Sequence, residues 1–151
     1  MSVESLRMPG TVRLVFPAEP FAVRCALERL FAVLPVGLFD DDARGSAEIA
    51  LTEVLNNIVE HGYAGEPGLI EVVIRPLQDG LHCVVTDRGR PMPGGVPPGA
   101  ELPAASGGDL PEGGFGWFLI RCLAQDITYV RHGAANRLAF RLPARGSLTV
   151  G

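Results

Sequence analysis

The sequence predicts an α+β protein, a two-layer α/β sandwich in which helices cover one face of a mixed, mostly antiparallel sheet. Three observations lead there. Patterned segments follow the order strand, helix, helix, strand, strand, loop, helix, strand, strand, so strands and helices do not alternate regularly. No Gly-x-Gly-x-x-Gly follows the first strand, which sets aside a doubly wound dinucleotide fold. The 151 residues, 47% apolar and 20% charged, have the size and balance of one domain, residues 1–151, with a substantial core and no repeat or linker.

TVRLVF, residues 11–16, alternates and is rich in β-branched and aromatic types, which predicts a first strand closed by Pro17 and Pro20. FAVRCALERLFAVL then sets Val23, Leu27, Leu30, Phe31 and Leu34 on one helical stripe, and Pro35 ends that helix. Its periodicity exposes Arg24, Glu28 and Arg29, a solvated face. Gly37 to Asp42 reads as a turn whose acidic end, Asp40 to Asp42, suits the positive end of a second helix running to about Gly62. Strands follow at 69–76 and 81–87, joined through Gln78, Asp79 and Gly80 as an antiparallel hairpin. Residues 88–114 lose periodicity and concentrate glycine and proline, the mark of a functional or disordered loop. A helix at 117–125 and strands at 127–132 and 135–143 complete the chain.

Composition excludes several functions. No apolar run is long enough to span a bilayer, and MSVESLRMPG lacks a basic segment followed by an apolar one, so the expected location is the cytoplasm, without membrane contact. The net charge of −4 and the lack of a basic run argue against direct nucleic-acid binding. Cys25, Cys83 and Cys122 are widely separated, which predicts reduced, buried, structural thiols. His61, His82 and His132 have no close ligand partners, so zinc is not expected, and no Gly-x-Ser-x-Gly marks a serine hydrolase.

Three stretches carry candidate chemistry. In LTEVLNNIVEHGY, Glu53 and Asn57 lie one helical turn apart on a polar stripe opposite Leu51, Val54, Leu55 and Ile58. A carboxylate there can orient or deprotonate a hydroxyl, and an amide oxygen can ligate a hard cation. DRGRP from Asp87 leaves the end of a strand, and GGFGWFLIR from Gly113 opens a helix after the long loop. Singly these read as a solvated helix face, a turn and a flexible glycine cluster.

In this order and spacing they resemble the N, G1 and G2 boxes of the GHKL, or Bergerat-fold, ATP-binding superfamily. Within it the likeness is greatest to the small anti-sigma-factor serine/threonine kinases, RsbW- and SpoIIAB-like, and covers about residues 12–143. The resemblance implies ATP and Mg2+ as cofactors and a Bergerat fold. Glu53 would be the catalytic carboxylate, and Asn57 would hold magnesium between the phosphates. Asp87 would accept the adenine amino group, with Gly89 allowing the backbone close to the base. Gly113, Gly114, Phe115 and Gly116 would meet the phosphates with backbone amides at a helix N-terminus, and residues 92–112 would form the ATP lid. Asn56 is expected to be a solvated neighbour and His61 a packing residue at the helix end.

The chain departs from that family in the lid. Met92, Pro93 and two glycines stand where Phe and Asp-Pro usually follow, and residues 92–112 hold no Lys or Arg, so charge compensation falls to magnesium and backbone amides. The function implied is an ATP-dependent kinase that phosphorylates an anti-sigma-factor antagonist of STAS type and sequesters a sigma factor, acting as a homodimer. The alternative is an ATP-binding module that switches protein partners without phosphotransfer. Retention of Glu53 argues for the kinase, because binding alone needs Asn57 and Asp87 only. A histidine kinase core would bring an acceptor histidine on a dimerising hairpin, which neither His61 nor the N-terminal segment supplies, and a free-standing ATPase would need further domains.

Overall fold

A computed structural model of the protein describes residues 3–5, 10–35, 37–97 and 114–145. Six strands form one sheet: β1 (Val3–Ser5), β2 (Val12–Pro17), β3 (Leu69–Leu77), β4 (Gly80–Asp87), β5 (Gln125–His132) and β6 (Ala135–Pro143). Three helices accompany them: α1 (Pro20–Val33), α2 (Asp41–Asn57) and α3 (Gly114–Leu123). The spatial order is β1-β2-β3-β4-β6-β5.

The expected mixed sheet is antiparallel at every pairing. Connectivity explains it. Two helices between β2 and β3 bring the chain back to the end it left, so β3 runs against β2. The single helix between β4 and β5 makes those strands parallel, but β6 lies between them and opposes both. The α+β sandwich predicted from sequence is therefore the observed architecture.

Alternation along each strand builds the core. Leu14, Val72, Val85 and Leu138 form one row across four strands, and Val12, Ile74, Cys83 and Phe140 form the next. These residues are buried, packed with Val23, Ala26, Leu30 and Phe31 of α1, Ala50, Leu51, Val54 and Leu55 of α2, and Trp117 and Ile120 of α3. The other sheet face mixes Val15, Val73, Val84 and Ala139 with charged residues; there His82 keeps a lowered pKa through partial burial and the nearby Arg75, Arg141 and Arg137.

Element boundaries differ from expectation where local signals compete. Asp40 caps α2, its Oδ1 accepting from the Ala43 amide at 2.8 Å. The helix then leaves α-geometry after Asn57 and ends in one π-helical turn, Ile58–Gly62, closed by the Tyr63 amide on the Ile58 carbonyl at 2.8 Å. The third helix starts at Gly114, before the expected 117, with Gly116 in its first turn close to α2, and it stops at Leu123, after which β5 begins at Gln125. Strand β1 was not expected. Of the cysteines only Cys83 is buried, its thiol pKa pushed up by that burial, whereas Cys25 is half-buried and Cys122 exposed on α3. Among the described residues no helix is long and apolar enough to cross a membrane.

Gly80 opens β4 opposite Pro143, so tightly against β6 that a Cβ would overlap the Leu142 carbonyl oxygen. Gly80→Ala should cost about 2 kcal/mol or more, read as a lowered urea midpoint. A midpoint equal to wild type would show that this close approach does not constrain the fold.

Candidate functional site

Helix α2 faces two neighbours with different sides. Glu48, Thr52 and Asn56 line a groove against α1 that includes none of Glu53, Asn57, Asp87, Gly89 and Gly116. Glu53 and Asn57 instead meet α3. A Cβ on Gly116 would lie 2.9 Å from Glu53 Oε2 and 3.5 Å from both Asn57 side-chain heteroatoms, so the first turn of α3 lies directly over this pair, and a side chain there would push the Glu53 carboxylate aside. The structure thus brings together three of the residues selected from sequence. Gly114 and Phe115 begin α3. Gly113 and residues 98–112 of the expected lid lie outside the described residues.

Asn57 Nδ2 is buried and, among the described residues, has no hydrogen-bond partner. An unsatisfied buried donor is costly and calls for an acceptor. The open amide groups of the first turn of α3 add further donors, as the start of any helix does. An anionic ligand with several oxygens fits these donors. Among the described residues no three His, Cys, Asp or Glu side chains converge. A magnesium ion would therefore draw most of its ligands from phosphate and water, with Asn57 Oδ1 as the protein's contribution.

Asp87 closes the inward row of β4 that begins with Leu81, Cys83 and Val85, and is only 6% exposed. Its Oδ1 accepts from the Gly89 amide at 2.8 Å and from Asn136 Nδ2 at 2.9 Å. Among the described residues nothing donates to Oδ2, which leaves one carboxylate oxygen for a ligand's N–H. Burial raises the Asp87 pKa, against the lowering effects of Asn136, Gly89 and Arg131.

The two halves of the site meet at the π turn. Gly89 lies so close to Gly62 that a Cβ would sit 2.5 Å from the Gly62 carbonyl carbon, and the Arg90 amide donates to the Gly62 oxygen at 2.8 Å. Tyr63 fastens the same corner: its hydroxyl donates to the Leu69 carbonyl at 2.6 Å and accepts from the Arg88 amide at 2.8 Å. His61, expected to pack at the helix end, is exposed beside Glu60 because the widened turn rotates it outward.

Asn136 and Tyr63 escaped the sequence reading. A signal for Asn136 exists: it stands in phase with inward Leu138, Phe140 and Leu142, so an amide occupies a core position directly opposite Asp87.

Comparison with known proteins follows the same lines. The family described as histidine kinase-like ATPase domain matches residues 16–142. The crystal structure of the RsbU and RsbW domains of a Mycobacterium tuberculosis protein is similar with a TM-score of 0.59 at 19% identity, over 89% of this chain and 33% of that one. A histidine kinase domain from an Erythrobacter litoralis blue-light activated histidine kinase gives a TM-score of 0.48 at 17% identity, over 81% and 61%. At such identities the likeness is one of fold, and the chain spans only about a third of the first structure's length, 33%. No curated protein sequence matches the chain.

Asp87→Asn keeps an oxygen for both donors while removing the buried charge. Because the folded pKa is raised, wild type loses stability relative to the variant as pH rises from the ordinary carboxylate value of 3.8 through the folded value. Urea titrations across pH 3 to 7 should therefore show the variant gaining on wild type over that window and then running parallel. A variant that loses ground as pH rises would contradict the assignment.

Proposed function

The chain belongs to the histidine kinase-like ATPase domain family, and we propose that it is an ATP-dependent serine/threonine protein kinase and anti-sigma factor. Its substrate would be a hydroxyl on an anti-sigma-factor antagonist of STAS type, and its second partner a sigma factor. The observation that most supports phosphotransfer is the Glu53–Asn57 pair beneath Gly116: a half-exposed carboxylate stands beside a buried amide that lacks a partner.

In this reading Asp87 Oδ2 accepts a hydrogen bond from the adenine amino group, and Gly89 and Gly62 leave the backbone uncovered beside the base. Asn57 Nδ2 donates to a phosphate oxygen, and the first amides of α3 donate to others. A bound magnesium ion would neutralise phosphate charge, the more so because residues 92–112 contain no Lys or Arg. Glu53 orients the acceptor hydroxyl and takes its proton as that oxygen attacks the terminal phosphorus. The bond from phosphorus to the bridging oxygen breaks, and ADP leaves with the electron pair. Glu53 lies beside Gly116 at the start of α3, so an acceptor hydroxyl would have to approach the carboxylate along that end of the helix.

Glu53→Gln keeps the size and hydrogen bonding of the side chain but cannot accept the proton. With radiolabelled ATP and a panel of STAS-type antagonists, wild type should label a serine or threonine. The variant should bind ATP with unchanged affinity and transfer about 100-fold or more slowly. ATP binding by wild type with no transfer to any antagonist would favour instead a nucleotide-responsive module that switches partners without chemistry.

A further inference from the structure

The turn after β4 has no regular structure, and Arg88, Arg90 and Pro91 are exposed, so side-chain bonds must fix its position. Most come from the β5–β6 hairpin. In register, Asn136 stands between Asp87 on β4 and Arg131 on β5. Its amide nitrogen faces three acceptors: Asp87 Oδ1 at 2.9 Å, the Gly89 carbonyl at 3.1 Å and the Arg90 carbonyl at 2.9 Å. Its oxygen accepts from the Tyr129 hydroxyl and from Arg131 Nη1 at 3.0 Å. The reverse amide orientation would set oxygen against three acceptors, so the assignment is chemically determined. Arg131 Nη1 also donates to the Gly89 carbonyl at 2.8 Å. The Tyr129 hydroxyl also accepts from the Met92 amide at 3.0 Å, where residues 92–112 begin.

We propose that Asn136 and Tyr129 are positioning residues that join the Asp87 carboxylate and the main chain at Met92 into one unit, so that the base site and the root of the following segment are set together. Asn136 is suited to this because it donates and accepts through one planar group; aspartate would lack the donors, and threonine the paired reach. A chain of mutually satisfied hydrogen bonds responds as a whole when one member is removed, which distinguishes it from independent contacts. The consequence for nucleotide binding rests on the ATP reading above; the coupling between Asp87 and Met92 does not.

Amide hydrogen exchange on the nucleotide-free protein tests the coupling. Tyr129→Phe removes the hydroxyl but touches neither Gly89 nor Asp87. It should speed exchange at Met92 directly and at Gly89 through Asn136, each by about tenfold, while core amides of β2 and β3 stay unchanged. Asn136→Ala, if it folds, should also raise the Asp87 titration midpoint, followed by carboxyl carbon NMR, an effect that loss of packing alone would not produce. Acceleration confined to Met92 in Tyr129→Phe would overturn the proposal, whatever the alanine variant does. Calorimetry with magnesium ATP separates the two ideas. Coupled exchange in a wild type that binds no ATP would support the unit and sink the kinase reading. ATP binding with Gly89 unmoved would sink the unit and leave that reading standing.

Discussion

Burying a carboxylate among apolar side chains costs on the order of several kcal/mol unless donors replace the lost water, and the site is arranged around meeting that cost at Asp87. The strand alternation that buries Val85 also buries Asp87, two residues on. The same alternation on β6 places Asn136 opposite it. Gly89 supplies the second donor by folding back over its own strand end, and that fold is possible only because Gly89 can press against Gly62. One oxygen of the carboxylate is thereby occupied and the other left open. Burial that would ordinarily favour the neutral acid is thus partly offset by two neutral donors and the nearby Arg131.

Helix α2 transmits this arrangement to the other half of the site. Its end changes from α to π geometry at Ile58, a local irregularity of the kind that recurs at functional sites. The wider turn carries Gly62 to the Asp87 turn and Tyr63 to the start of β3. One and two turns back, Asn57 and Glu53 face the glycine that lets α3 close over them. A single element thus spans both the open carboxylate oxygen and the unpartnered amide, and the hydrophobic face of that element, Leu51, Val54 and Leu55, is among the most deeply buried surface in the protein. The polar face is held in place by apolar packing behind it.

Much of this was legible in the sequence because the signals were periodic. The alternation of 81–87 and 135–143 and the helical stripe of 51–58 predict strands and a helix, and their order predicts the sandwich. What resisted was of two kinds. Interactions across the sheet, such as Asn136 with Asp87 or Tyr129 with Met92, join residues dozens of positions apart, and no local pattern encodes a register. Departures from ideal geometry, such as the π turn and the early start of α3 at Gly114, run against local propensity: glycine disfavours a helix interior, yet Gly116 stands in the first turn of α3 where α2 comes close. His61, expected to pack at the helix end, instead stands exposed in the same π turn.

In the proposed function, an open oxygen of the buried Asp87 carboxylate reads the base. Guanine presents a carbonyl oxygen where adenine presents its amino group, so a carboxylate that accepts from adenine repels guanine. Calorimetric titration of the purified protein with magnesium ATP and magnesium GTP tests this directly. The account predicts ATP binding and GTP binding weaker by about 100-fold or more, consistent with a lost charge-assisted hydrogen bond replaced by two opposed acceptors. Equal affinity for the two nucleotides would contradict it.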